Sequence, residues 1–136
     1  MEAAVIILAG GKSSRMGKNK ALLKMNGKTV IEQIVAELMK VSDNMLIVTN
    51  TFSDYEFLGL PMVEDKWKGM GPLAGIHAGL LATTAERNLI VACDMPFVSA
   101  KLGSVLLEEL DHYDAVIPEV DGRLHPLFAA YRKGVK

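Results

Sequence analysis

The sequence predicts an α/β fold, with a mostly parallel sheet covered by helices on both faces. Short apolar runs recur along the chain and read as buried strands. Segments with the helical period separate them. Glycine, asparagine and aspartate stand just after the strands and not inside them. With 136 residues, 50% apolar and 23% charged, the chain has the size of one domain and a composition far from that of disordered chains.

Residues 4–8 form a continuous apolar run that leads into Gly10-Gly11 and read as the first strand. Over residues 29–41, Val30, Ile31, Ile34, Val35, Leu38 and Val41 make one helical stripe, and Thr29 with Glu32 has the spacing of a capping box. Residues 45–49 are a second buried strand and 61–63 a short third. Gly71-Pro72 opens a helix over 73–84, with proline suited to the first helical position. Residues 89–93 are a fourth strand, ended by Asp94. Ser99 caps a helix to about Leu110, and 115–117 and 127–131 are further strands. No repeat, low-complexity segment or linker interrupts this order. In sheets of this kind ligands bind beyond the carboxyl ends of the strands. Gly10-Gly11, Asn50, Glu64-Asp65 and Asp94 are therefore expected along one edge.

The net charge of −1 argues against binding a polyanion by bulk electrostatics. The distribution is less even. Between Ala3 and Ile31 there is no acidic residue, but Lys12, Arg15, Lys18, Lys20, Lys24 and Lys28 fall there. On charge alone a solvated basic surface explains this as simply as a small anionic ligand does. Aromatic residues make up only 6% of the chain, too few for a nucleic-acid stacking platform. The lone Cys93 excludes an internal disulfide and all but excludes a cysteine-based zinc site. No basic segment precedes the short N-terminal apolar run, and no stretch approaches a membrane span. A cytoplasmic location without membrane contact is expected.

The first strand runs into Leu8-Ala9-Gly10-Gly11-Lys12-Ser13-Ser14-Arg15-Met16-Gly17-Lys18-Asn19-Lys20-Ala21-Leu22-Leu23. Glycines let backbone N–H groups approach a phosphate, and Arg15 and Lys20 add charge to such a cradle. This is not a P-loop: Lys12 stands where its first glycine belongs, and Asn19 follows Gly17-Lys18. The G-x-G-x-x-G dinucleotide fingerprint is absent too.

The pattern Leu8-Ala9-Gly10-Gly11-x-Ser13-x-Arg15-Met16-Gly17-x-x-Lys20-Ala21-Leu22-Leu23 resembles the signature of the sugar-nucleotide and cofactor nucleotidyltransferases. Its short spacing from Arg-Met-Gly to Lys is most similar to the molybdenum cofactor guanylyltransferases. Three more segments resemble that family: Gly71-Pro72-Leu73-Ala74-Gly75-Ile76, Ala92-Cys93-Asp94-Met95-Pro96-Phe97 at its metal-binding strand end, and Asp121-Gly122-Arg123-Leu124-His125-Pro126-Leu127 in its substrate-side hairpin. The resemblance implies a Rossmann-like three-layer sandwich of the nucleotide-diphospho-sugar transferase type. It implies transfer of GMP from GTP to molybdenum-molybdopterin, with release of pyrophosphate and Mg2+ as cofactor. Transient contacts with a molybdopterin donor and a molybdoenzyme acceptor protein are implied as well.

By the same resemblance Lys20 and Arg15 clamp the triphosphate, Asp94 binds Mg2+, and Leu8, Ala9, Gly10, Gly11, Asn50 and Asp65 contact the nucleotide. Four of these have a plainer alternative. Arg15 suits a structural ion pair; Asn50, Asp65 and Asp94 suit turns. Lys66-Trp67-Lys68-Gly69-Met70-Gly71 reads as a lid or as an ordinary surface loop. Cys93 is expected inside its strand as a small core residue, and His77 and His112 lack metal-ligand company. His125-Pro126 falls in the substrate-side segment. The chain is expected to be one nucleotidyltransferase domain over 1–136, without the C-terminal part usual in the family. Two alternatives stand beside the guanylyl reading: a cytidylyltransferase of a related cofactor or isoprenoid pathway, and a nucleotide-binding domain without turnover.

Overall fold

Apolar runs become the inner strands of a single sheet, and the helices between them cover its two faces. The computed structural model describes residues 3–9, 24–25, 28–50, 52–64, 72–93, 99–120, 122–124 and 128–133. In chain order the elements are β1 (Ala3–Leu8), β2 (Lys24–Met25), β3 (Lys28–Thr29), α1 (Val30–Leu38), β4 (Met45–Val48), two 3-10 turns (Phe52–Asp54 and Glu56–Leu58) and β5 (Met62–Val63). They continue with α2 (Pro72–Ala82), β6 (Arg87–Ala92), α3 (Ala100–Glu109), β7 (Ala115–Val116), β8 (Glu119–Val120), β9 (Arg123–Leu124) and β10 (Phe128–Arg132).

Six strands form the main sheet in the order β5-β4-β1-β6-β10-β7. The first four are mutually parallel, and β10 is antiparallel to both β6 and β7. Alternation along β1 divides the core. Val5 and Ile7 join Ile31, Ile34, Leu38, Leu106 and Leu107 on the face of α1 and α3. Ile6 joins Ile76 and Leu80 of α2 on the other face. Each fully buried aliphatic side chain is worth about 1.5–3 kcal/mol over an exposed one, so the central strand anchors both layers. On its own face α2 approaches β1 through glycine. A Cβ added at Gly79 would stand 2.5 Å from Ile6 Cγ2, and one at Gly75 would stand 3.3 Å from Leu8 Cδ2.

The sequence expectations hold in order and differ at the ends of elements. The capping box of α1 is formed: Thr29 Oγ1 accepts from the Glu32 amide at 3.2 Å, and Glu32 Oε1 accepts from the Thr29 amide at 2.9 Å. The helix ends at Leu38 and not at 41, because the next turn tightens: the Val41 amide reaches back only to the Leu38 carbonyl, at 2.9 Å. Strand β6 starts at Arg87, two residues before the apolar run. Its polar start is buried at Asn88, whose amide donates to the Ala85 carbonyl at 3.0 Å and accepts from Thr83 Oγ1 at 2.8 Å. Two short ladders were not anticipated at their positions. β2 pairs with β3, and β8 pairs with β9, which begins two residues into the segment that resembles the family's substrate-side hairpin and follows Gly122 with φ 78°. Among the described residues no helix is long and apolar enough to cross a membrane.

Candidate active site at the carboxyl edge of the sheet

The parallel strands stop together. Leu8 is in register with Val48 and with Ala92, and Val48 with Val63, so the last residues of four strands form one row. The ladder runs one residue further. The Ala9 amide donates to the Val48 carbonyl at 3.0 Å, the Thr49 amide to Val63 at 2.9 Å, and the Cys93 amide to Leu8 at 3.3 Å. Ala9 and Thr49 are buried under this edge and Asn50 is exposed on it. From β1 the chain crosses through α1 to β4 on one side. From β6 it crosses through α3 toward β7 on the other. The connections thus diverge between Leu8 and Ala92, the place where open α/β sheets form a ligand crevice.

Helix α2 aims its start at the same edge. Gly79 lies over Ile6 and Gly75 over Leu8, so the helix runs antiparallel to β1 and its N-terminus reaches the strand end. Its first turn contains no acidic residue, which leaves the positive end of the helix available to an anion. Helix α3 begins with Ser99 as N-cap, whose hydroxyl accepts from the Leu102 amide at 3.1 Å. The next amide, Ala100 N, donates at 2.7 Å to Oε2 of Glu37 on α1. That bond, and Lys40 beside it, hold the Glu37 carboxyl below its ordinary pKa.

A family model described as a MobA-like NTP transferase domain matches residues 5–135. The chain belongs to this family. It is 43% identical to a Carboxydothermus hydrogenoformans protein named "Probable molybdenum cofactor guanylyltransferase", over 96% of this chain and 66% of that protein. It is 40% identical to one of the same name from Pelotomaculum thermopropionicum, over 98% of this chain and 65% of the relative. The chain therefore spans about two thirds of the length of these relatives. Among solved structures, molybdopterin-guanine dinucleotide biosynthesis protein A from Archaeoglobus fulgidus is 30% identical with a TM-score of 0.77, covering 96% of this chain and 67% of that one. A 2-C-methyl-D-erythritol 4-phosphate cytidylyltransferase from Thermus thermophilus shares the fold, with a TM-score of 0.71 at 22% identity.

In this NTP transferase domain Leu8, Ala9 and Asn50 stand at the carboxyl edge as expected. Gly10, Gly11, Arg15, Lys20, Asp65 and Asp94 lie outside the described residues, as do the 66–71 segment and His125-Pro126. Their neighbours in the chain, Ala9, Glu64 and Cys93, are at the row of strand ends. Cys93 sits one residue beyond β6, half-buried in a turn, and not inside the strand. His77 and His112 are exposed on α2 and just beyond α3. Among the described residues no three His, Cys, Asp or Glu side chains gather as a metal cage.

The opposite edge carries charge that the sequence reading did not single out. Arg87 donates to the Leu107 carbonyl at 3.1 Å and pairs with Asp111, whose carboxyl it holds below the ordinary aspartate pKa. Arg132 donates to the Leu110 carbonyl and pairs with Glu86 at 3.3 Å. Lys133 Nζ donates to the carbonyls of Leu80 and Leu81 at 2.9 and 3.3 Å. Basic side chains thus satisfy the carbonyl ends of α3 and α2. A shallow depression beside them, lined by Leu110, Asp111, His112, Tyr113, Asp114 and Arg132, is remote from the strand ends.

Proposed function

We propose that this domain binds GTP with Mg2+ at the carboxyl edge and transfers GMP to molybdenum-bearing molybdopterin. The observation that carries this reading is the aligned row of Val63, Val48, Leu8 and Ala92 at the divergence of the connections. Asn50 stands at this row, and the described chain leads from it into the glycine-rich motif after Ala9, into Asp65 after Glu64 and into Asp94 after Cys93. The names of the relatives supply the substrates.

An oxygen of the terminal phosphate of molybdopterin forms a bond to the α-phosphorus of GTP. The bond from that phosphorus to the β-phosphate bridge breaks, and pyrophosphate leaves with the electron pair. A phosphate oxygen is already nucleophilic at neutral pH, so no serine or cysteine nucleophile is required. The protein's work is positioning and charge neutralisation. Backbone groups of Leu8, Ala9, Gly10 and Gly11 line the phosphates, and Lys20 and Arg15 clamp them. Asn50 and Asp65 face the nucleoside, where a carboxylate or backbone carbonyl suits the N1–H and N2–H donors of guanine.

The donor chemistry fits a substrate-borne magnesium ion. Asp94 is a hard oxygen donor directly after Cys93, and Mg2+ needs only one or two carboxylates besides substrate phosphates and water. When bound, Mg2+ neutralises charge on the transferring phosphoryl oxygens. Donor and acceptor proteins for the cofactor are the proposed partners.

The alternative reading is that this domain binds nucleotide without completing transfer. Parallel calorimetric titrations with GTP, CTP and ATP, each with Mg2+, test both. Mg2+-dependent binding of GTP that is lost in Asp94→Ala, with GMP transfer to molybdopterin, is the expected result. Binding without transfer selects the second reading. A preference for CTP moves the substrate to the cytidylyl branch, and binding of none of the three overturns the nucleotide reading.

A further inference from the structure

We infer that Glu64 is a specificity-determining residue: its carboxylate accepts the N–H donors of a 2-amino-4-oxopyrimidine edge, the edge that guanine and a pterin share. This rests on the proposed binding of GTP and molybdopterin at the carboxyl edge.

Glu64 is the first residue beyond β5 and stands in the row of strand ends. Val63 is in register with Val48, and its carbonyl accepts from the Thr49 amide at 2.9 Å, so the backbone is held up to the residue before Glu64. Thr49 on the neighbouring strand is buried, whereas Glu64 is exposed. Among the described residues Glu64 has no hydrogen bond and no ion pair. Of the described residues just beyond the four parallel strands, Ala9, Thr49, Asn50, Glu64 and Cys93, Glu64 alone is charged.

A negative charge at this edge repels phosphate, so it suits a part of the ligand that carries donors. The place in the row agrees. Strands lie about 4.8 Å apart, and β5 is two strands from β1, which leads into the glycine-rich motif. The separation is thus about 10 Å, comparable with the span from an α-phosphate to the far edge of its purine. An ionised carboxylate only accepts, through two oxygens. Guanine offers it N1–H and the 2-amino group, and a pterin offers N3–H and its own 2-amino group in the same arrangement. Adenine and cytosine present a ring acceptor there instead. Hypoxanthine keeps N1–H and lacks the amino group.

Inosine triphosphate is therefore the probe, since it differs from GTP only by that amino group. GTP and inosine triphosphate are titrated calorimetrically into the parent, Glu64→Gln and Glu64→Ala. Molybdopterin is titrated by its fluorescence, and melting is followed for each protein. Removing a charge alters the affinity for both triphosphates alike, so their ratio isolates the contact with the edge.

The parent should prefer GTP about tenfold or more, and both variants should bring the ratio to within about twofold of one at unchanged melting temperature. Glu109→Gln, at the far end of α3, should match the parent. A ratio that stays at the parent value while both variants bind molybdopterin about tenfold more weakly assigns the contact to the pterin. If neither the ratio nor molybdopterin affinity changes, Glu64 is an ordinary solvated acid and the inference is overturned. A parent that binds neither triphosphate nor molybdopterin removes the reading of the carboxyl edge itself, and the inference falls with it.

Discussion

The two edges of the one sheet are finished by opposite means. At the amino edge, basic side chains reach helix carbonyls and acidic partners, so the charges there are used up within the chain. At the carboxyl edge, four strand ends stop in register and a helix points its start at them without an acidic residue in its first turn. One edge closes the fold with the chain's own charges, and the other is the edge at which we propose that the nucleotide binds. The comparison teaches that charge count alone does not separate a structural cluster from a binding one. What separates them is whether the chain supplies the counter-groups.

The largest expected separation comes from Lys20→Ala. It should lower GMP transfer about 100-fold or more while the melting temperature stays within a degree or so, because the role proposed for Lys20 is to clamp the triphosphate. A fall in stability comparable to a core defect would place Lys20 in the scaffold.

Asn88→Ala sharpens the other side. It strips the buried Thr83 hydroxyl of its acceptor and the Ala85 carbonyl of a donor. A loss of about 1–3 kcal/mol is expected in urea unfolding, with GTP affinity unchanged in the folded protein. Lys133→Ala should act the same way with less force, about 0.3–1 kcal/mol, since it removes one cation from the carbonyl end of α2. Weakened GTP binding in either variant would mean the edges are coupled.

The smallest effect concerns acid. Arg87 holds the Asp111 carboxyl below its ordinary pKa, so this pair adds stability above that range and loses it as pH falls through the lowered value. Melting curves between about pH 5 and pH 2 should therefore fall more steeply for the parent than for Asp111→Asn. Parallel slopes would mean the pair contributes nothing at this exposed site.

Much of this was legible in the residues. The apolar runs of β1, β4 and β6, the Thr29-Glu32 capping box and the Ser99 cap depend on near neighbours, which a sequence displays directly. The rule that parallel strands share a ligand edge then placed Leu8, Ala9 and Asn50 together. What escaped reading depends on distant partners. Arg87 and Asn88 look too polar for a strand until Asp111, Thr83 and the Ala85 carbonyl are brought to them. Glu37 meets Ala100 across 63 positions, and nothing in either neighbourhood announces the pair. The basic residues of the far edge were unremarkable in sequence because helix carbonyls, their partners, have no letter of their own.

The place of β10 has a consequence for the order in which the domain can be made. This strand is the last of the described elements, yet it lies between β6 and β7. Strand β7 is synthesised earlier but, among the described residues, pairs in the sheet with β10 alone. Arg132 and Lys133, at and just after its end, supply cations to the carbonyl ends of α3 and α2 on opposite faces. A chain released only to residue 127 thus lacks the partner of β7, the lysine on the carbonyl end of α2 and the second of two arginines on that of α3. The next six residues, 128–133, carry all three.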